Sequence, residues 1–134
     1  MPTIMIDHLT ILVSDYRRSL KFYLQALKPL GYEMTLELDD VTYPQLPSAF
    51  FAGLGVDKKA DLWLRPSKVV APTHVAFRAR SRAVVDAFYK EGLAAGGKSN
   101  GEPGLRTEYS PTYYAAFVLD PDGYNIEAVC HEPA

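Results

Sequence analysis

The sequence predicts an α+β fold built from two copies of a βαβββ module. An internal repeat is the first reason: Asp7-His8-Leu9-Thr10 and Phe22-Tyr23 recur 66 residues later as Thr73-His74-Val75-Ala76 and Phe88-Tyr89. A repeat of this length indicates that one supersecondary unit occurs twice. The chain has 134 residues, the usual size of one domain rather than two. We therefore expect a single domain over 1–134, with modules at about 1–66 and 72–131.

The first module shows strand, helix and strand signals in that order. Apolar residues on both faces of 4–13 predict a buried strand. Ser14-Asp15 can cap a helix whose apolar residues recur at three- and four-residue steps from Tyr16 to Leu30, before Gly31 ends it. Three strand-like segments follow, at Tyr32–Leu38, about Ala49–Gly53 and Ala60–Leu64, with turns at 39–40 and 57–59.

The second module begins after a connection bracketed by Pro66 and Pro72. A strand is expected at 75–79, a helix from the Ser81 cap to about Ala95, and strands at 113–119 and 124–129. The last two strands are joined by Asp120-Pro121-Asp122-Gly123, a pattern typical of a type I turn. Asn100–Ser110 is rich in glycine, proline and charge, which predicts an irregular, mobile flap carrying Arg106 and Tyr109.

Composition excludes several classes of partner and location. Lys and Arg total 14 against 16 Asp and Glu, with no long run of one sign, so neither nucleic acid nor an anionic membrane is expected. No apolar stretch approaches the roughly 18–20 residues needed to cross a bilayer. The sequence starts without a signal-peptide pattern, and its single cysteine, Cys130, cannot form an internal disulfide. These features predict a cytoplasmic protein.

Two equivalent histidines and one carboxylate predict a metal site. His8 and His74 would face each other across the pseudo-twofold axis of the repeat. Glu127 stands in an otherwise apolar strand and shares a face with Asn125 and Val129, and burying a lone carboxylate costs several kcal/mol. Two imidazoles and one carboxylate form a facial triad with open positions, which suits Zn, Ni, Fe, Mn or Co.

Each candidate residue also has a structural interpretation. A single histidine in an apolar strand is more often a hydrogen-bonded core residue than a ligand. Arg78, on the face of His74, is a candidate for binding an anionic substrate group, or it extends to solvent or pairs with a carboxylate. Tyr113 is a candidate general acid, although its alternation with Ala115 and Phe117 also fits packing.

Three segments resemble the vicinal oxygen chelate superfamily, also called the glyoxalase, bleomycin-resistance and extradiol-dioxygenase superfamily. The matching segments are 6–15, 73–77 and 119–127, and Asp-Pro-Asp-Gly followed by a strand bearing glutamate is the most specific. The resemblance implies paired βαβββ modules that curl into a cleft with helices outside, and it places His8, His74 and Glu127 at metal-ligand positions. Members similar to glyoxalase I have a fourth ligand where this chain has Trp63, which cannot ligate a metal.

This resemblance implies a small metal-dependent enzyme that binds two vicinal oxygens of a small organic substrate. Isomerase or lyase chemistry similar to glyoxalase is the first expectation, and ring-cleaving oxygenation is the second. The alternative is a metal-free protein that binds drugs or other small molecules, as bleomycin-resistance proteins do. We also expect a homodimer, because sheets of this size leave strand edges and apolar faces to cover. Whether the modules pair within one chain or between chains stays open.

Overall fold

The computed structural model describes residues 6–45 and 50–134. Its elements are β1 (Leu9–Val13), α1 (Tyr16–Ala26), a short 3₁₀ helix (Lys28–Leu30), β2 (Glu33–Asp39), β3 (Phe50–Val56), β4 (Lys59–Pro66), β5 (His74–Arg78), α2 (Arg82–Ala94), β6 (Lys98–Leu105), β7 (Tyr114–Leu119) and β8 (Asn125–Cys130). The prediction of an α+β fold with two βαβββ modules is confirmed. Residues 4, 5 and 49 of the predicted strands lie outside the described residues.

The strands form two four-stranded mixed sheets with the same topology. The first sheet has the order β1-β4-β3-β2, and the second has the order β5-β8-β7-β6. In each sheet the first and last strands of the module pair in parallel, whereas the other neighbours are antiparallel. Each sheet therefore belongs to one module, and its strand order follows the sequence repeat.

The helices begin where the sequence predicts but the first is interrupted before its predicted end. The side chain of Asp15 accepts a hydrogen bond from Arg18 N at 3.1 Å, and Ser81 Oγ accepts one from Val84 N at 3.2 Å, so both predicted caps are formed. The α1 helix ends at Ala26 and continues only as the 3₁₀ turn before Gly31, whose φ is +89°. Pro29 lies in that turn and cannot donate the hydrogen bond that α-helical continuation requires.

A shared core holds the two modules together. The helices contact each other, and each packs against strands of its own module. The most buried side chains come from both modules and include Val13, Phe22, Tyr23, Leu64, Val85, Phe88, Val118 and Ile126. The helices cover one face of each sheet, so polar side chains such as His74 are left on the opposite face.

The prediction of an irregular flap at 100–110 is wrong for the first half of that segment. Residues 98–105 form β6, an edge strand paired with β7 through two register shifts. The shifts accommodate Gly101, whose φ is +156°, and an edge position tolerates Pro103 because its missing N–H would face away from the ladder. Arg106 is not free either, since its guanidinium donates to Glu102 O at 2.7 Å and Gly104 O at 2.8 Å.

The turn between β7 and β8 connects the two modules. Gly123 N donates to Asp120 O at 3.0 Å, which closes the predicted turn. The buried Asp120 carboxylate accepts hydrogen bonds from Tyr23 Oη at 2.5 Å, Asp122 N at 2.9 Å and Tyr124 N at 2.8 Å. Tyr23 lies on α1, so the most specific motif in the sequence acts here as a connection between modules.

Among the described residues, no helix is both long enough and apolar enough to span a membrane.

Candidate functional site

The strand register shows which positions of the two sheets are equivalent. In the first sheet Thr10 of β1 pairs with Trp63 of β4, and in the second sheet Ala76 of β5 pairs with Glu127 of β8. Thr10 and Ala76 are repeat equivalents, separated by 66 residues. Trp63 and Glu127 therefore occupy the same position in the two modules, on the sheet face opposite the helices.

Glu127 is the centre of a hydrogen-bonded group on the second sheet. Its side chain is almost fully buried, at 3% exposed, although it lies on the face that the helices leave uncovered. The distance from His74 Nε2 to Glu127 Oε1 is 2.8 Å, and Tyr113 Oη donates to Glu127 Oε2 at 2.5 Å. Both carboxylate oxygens are thus satisfied, one by the first residue of β5 and one by the residue before β7, which removes most of the cost of burying the charge.

Two asparagines orient the imidazole of His74. Asn100 Nδ2 donates to Asn125 Oδ1 at 3.1 Å, and Asn125 Nδ2 lies 2.7 Å from His74 Nδ1. Since the Asn125 oxygen already accepts from Asn100, its amide donates to Nδ1, and the proton of neutral His74 lies on Nε2 toward Glu127. Asn125 shares a sheet face with Glu127 in the sequence pattern, whereas nothing in the sequence pointed to Asn100.

Tyr113 keeps its proton at neutral pH. Burial, together with the hydrogen bond to the Glu127 carboxylate and its negative charge, raises the pKa of Tyr113 to about 12. The rings of Tyr109 and His131 contact Tyr113 edge to face, with centroids 5.1 Å and 5.3 Å away. The phenol is therefore fixed in place and can donate a hydrogen bond or a proton beside Glu127.

His8 lies apart from this group. It precedes β1, its side chain is 54% exposed, and its Nδ1 is 2.7 Å from Asp7 Oδ2. The hydrogen bond from His8 and its charge lower the pKa of Asp7. In the part of one chain that the structure describes, no three His, Cys, Asp or Glu side chains are grouped so that they could hold a metal ion. The structure thus brings His74 and Glu127 together but does not add His8 to them.

Arg78 lies on the same strand as His74 but at its other end. Four residues along a strand correspond to about 13 Å. Arg78 lines a separate cavity of about 350 Å³ together with Lys28 and Arg80. Of the two candidate catalytic residues, Tyr113 therefore lies beside Glu127. Arg78 lies far from His74 and Glu127.

Comparison with known proteins shows the family. The sequence model of the Glyoxalase/Bleomycin resistance protein/Dioxygenase superfamily matches residues 5–128, nearly the whole chain. The chain belongs to this superfamily. A search of curated proteins finds no significant match.

Solved structures of superfamily members have the same fold. A glyoxalase/bleomycin resistance protein from Albidiferax ferrireducens T118 is 25% identical with a TM-score of 0.72, and the match covers 94% of this chain and 98% of that one. A glyoxylase/bleomycin resistance protein/dioxygenase domain from Frankia sp. EAN1pec has the same TM-score at 15% identity, over 98% and 100% of the two chains. An E144Q glyoxalase I mutant from Zea mays is 26% identical with a TM-score of 0.69, over 92% of this chain and 46% of that one. This chain therefore spans about half the length of the maize enzyme.

Proposed function

We propose that this protein is a metal-dependent enzyme that binds a small organic substrate through two vicinal oxygens. The observation that carries the proposal is the pair formed by His74 and Glu127, an imidazole nitrogen and a carboxylate oxygen 2.8 Å apart on the uncovered face of the second sheet. These donor types suit Zn, Ni, Fe, Mn or Co. Glyoxalase-like isomerase or lyase chemistry is the first candidate reaction, and ring-cleaving oxygenation is the second.

The donors fit such an ion only if a second chain contributes. Within the described part of one chain two such donors are adjacent, and a facial triad needs three. His8 is exposed and available on the other sheet, so a homodimer in which His8 of one copy approaches His74 and Glu127 of the other completes the set. A bound ion would supply Lewis-acid stabilisation of negative charge that develops on substrate oxygens.

The residues around Glu127 have distinct roles in this proposal. With an ion in place of the proton on His74 Nε2, the imidazole would carry its proton on Nδ1, and the Asn125 side chain would turn its oxygen to accept it, as partners of ligating histidines commonly do. Tyr113 holds a proton next to the site. When Glu127 ligates the ion and no longer accepts the hydrogen bond of Tyr113, the phenol can donate that proton to a substrate oxygen. Arg78 is the candidate for binding an anionic group on a part of the substrate that extends along β5.

Metal content tests the triad directly. We expect protein purified without chelator to hold a transition metal, and His8→Ala, His74→Ala and Glu127→Ala each to lose it while remaining folded. Glu33→Ala removes a carboxylate at an exposed position away from this group and should retain the metal. Stoichiometric metal in any one of the three ligand variants would contradict the assignment.

Mixing two inactive variants tests the assembly between chains. A heterodimer of His8→Ala and Glu127→Ala chains contains one complete set, with His8 from the second chain and His74 and Glu127 from the first. Random exchange of equal amounts should therefore restore about one quarter of the wild-type metal content, since half of the dimers are mixed and each has one intact site of two. If the mixture restores none although the dimers exchange subunits, the ligands do not combine between chains.

A metal-free binding protein is the second candidate. It is favoured by the hydrogen bonds of Glu127, whose two oxygens are satisfied by His74 and Tyr113 without an ion. Protein that takes up no transition metal after reconstitution, yet still binds small aromatic or cationic compounds, would support this candidate and contradict the enzyme.

A further inference from the structure

The uncovered face of the first sheet contains a cavity beside His8 for which the proposed metal site provides no occupant. Its volume is about 350 Å³, within the lower part of the usual range for small-molecule pockets. Four apolar side chains line it, those of Leu38, Phe51, Ala60 and Trp63, together with Thr10 and the paired Asp7 and His8. We call this cavity the indole pocket, after Trp63.

Gly53 creates the space that the Trp63 indole occupies. A Cβ atom added at Gly53 would lie 2.9 Å from both Cζ3 and Cη2 of the indole and 3.0 Å from the Ala60 Cβ. Atoms at these separations overlap, so a larger residue at 53 would push the ring out of position. The strand pairing of Gly53 with Trp63 places the glycine directly beneath the ring.

Phe51 adds a second aromatic surface to the pocket. The ring centroids of Phe51 and Trp63 are 5.5 Å apart with planes at 60°, an edge-to-face arrangement. Both rings are only partly buried. A ligand ring could therefore contact a face of one and an edge of the other, which are the contacts that aromatic groups prefer.

The charges around the pocket favour a neutral ligand. Among the residues that the structure describes, no Lys or Arg lines it, and the one carboxylate there, that of Asp7, is already hydrogen-bonded to His8. Thr10 is the remaining polar side chain, and its hydroxyl can accept or donate one hydrogen bond.

We propose that the indole pocket binds a planar, neutral aromatic group. This inference deepens the proposed function, on which it rests, by assigning that group to the substrate or ligand of the same protein. Trp63 occupies the position of Glu127 in the repeat, so the equivalent site of the first module binds an aromatic group instead of contributing a carboxylate.

Binding of 2-naphthol, compared with its saturated analogue decahydro-2-naphthol, tests the proposal. Trp63 is the only tryptophan in the sequence, so the protein has a single indole N–H resonance that reports on the pocket. We expect 2-naphthol to shift this resonance saturably and to bind about 3- to 10-fold more tightly than the analogue in calorimetry. Equal affinities, or binding of 2-naphthol without a shift, would overturn the proposal.

Variants of the pocket show whether the affinity for 2-naphthol depends on an aromatic ring at position 63 or only on an apolar side chain there. Trp63→Leu should weaken 2-naphthol binding about 3- to 10-fold, whereas Trp63→Phe should recover most of it. Gly53→Ala should weaken binding while the indole is still present, because the ring is displaced. Leu93→Ala, an exposed apolar position on α2, should bind as the wild type does. If Trp63→Leu and Leu93→Ala bind equally well, the pocket is not the site.

The same measurements distinguish failure of this inference from failure of the proposed function. His74→Ala removes a proposed metal ligand but should retain the affinity for 2-naphthol. Metal uptake without 2-naphthol binding would overturn the inference and leave the enzyme proposal intact. Binding of 2-naphthol without metal uptake would keep the pocket and favour the metal-free binding protein.

Discussion

The two sheets of this protein have the same topology but different chemistry on their uncovered faces. Each has a parallel pair between the first and last strands of its module, and Thr10↔Trp63 corresponds to Ala76↔Glu127. In the second sheet the histidine contacts the carboxylate across the strands, whereas in the first His8 contacts its neighbour Asp7. Glu127 thus gives the histidine of the second sheet a cross-strand carboxylate, whereas Trp63 at the equivalent position offers none to His8.

The largest expected difference between the sheets is in metal binding. Glu127→Leu should reduce metal uptake below detection, because it removes a proposed ligand, while Trp63→Leu should leave uptake close to that of the wild type. Glu127→Leu should remain folded, because it removes the buried charge and the partners left without an acceptor, His74 and Tyr113, are partly exposed and can bond to water. Metal analysis after gel filtration, with circular dichroism as the folding control, measures both. Equal uptake by the two variants would remove the functional distinction between the sheets.

The turns before the last strand of each module should also differ in stability. Asp120 accepts three hydrogen bonds in the buried connection between modules, whereas Asp57 lies in an exposed two-residue turn between β3 and β4. Asp120→Ala should lower the free energy of unfolding by about 2–3 kcal/mol, because the buried Tyr23 hydroxyl and two N–H groups lose their acceptor.

Asp57→Asn is the comparison, and it should change the free energy of unfolding by less than about 0.5 kcal/mol, because the site is exposed and asparagine tolerates a positive φ. Urea unfolding monitored by circular dichroism provides both values. Similar losses of unfolding free energy in Asp120→Ala and Asp57→Asn would show that the hydrogen bonds of Asp120 do not stabilise the contact between the modules.

Asp120 should also give the second module a distinctive pH dependence. Burial raises the pKa of Asp120 above its ordinary value of 3.8, despite the hydrogen bonds that oppose this. The folded state therefore binds the Asp120 carboxyl proton more tightly than the unfolded state does. The contribution of this proton to the free energy of unfolding is complete below pH 3.8 and is lost as the pH rises through the raised pKa. Because Asp120→Asn cannot titrate, the wild type should lose stability relative to this variant over that interval. Parallel curves from urea unfolding at several pH values would contradict this.

The smallest expected effect concerns glycine in the two turns. Lys58 has a φ of +62°, whereas Gly123, in the corresponding turn of the second module, has a φ of +91°. Lys58→Gly should raise the free energy of unfolding by about 0.5 kcal/mol, and Gly123→Ala should lower it by about 1 kcal/mol. Differential scanning calorimetry should show melting temperatures that move in opposite directions. A shift in the same direction for both would mean that backbone strain does not distinguish these turns.

The repeat made the fold predictable from the sequence, because equivalent residues 66 positions apart must occupy equivalent places in two copies of one module. Local signals also predicted the helix caps at Asp15 and Ser81 and the turn at 120–123, since these depend on hydrogen bonds between residues close in the chain. The edge strand at 98–105 was missed, because glycine and proline indicate a loop locally and only pairing with β7 makes a bulged strand favourable there.

For the site, the sequence by itself determined the residue types and the shared face of Asn125 and Glu127, because strand alternation is a local property. Only the tertiary structure decided which groups meet. The contacts of Glu127 with His74 and Tyr113 join residues from three different strands or their ends, and the Trp63 pocket depends on Gly53 of a neighbouring strand. Such contacts depend on register and packing between distant segments, and no local pattern in the sequence specifies them.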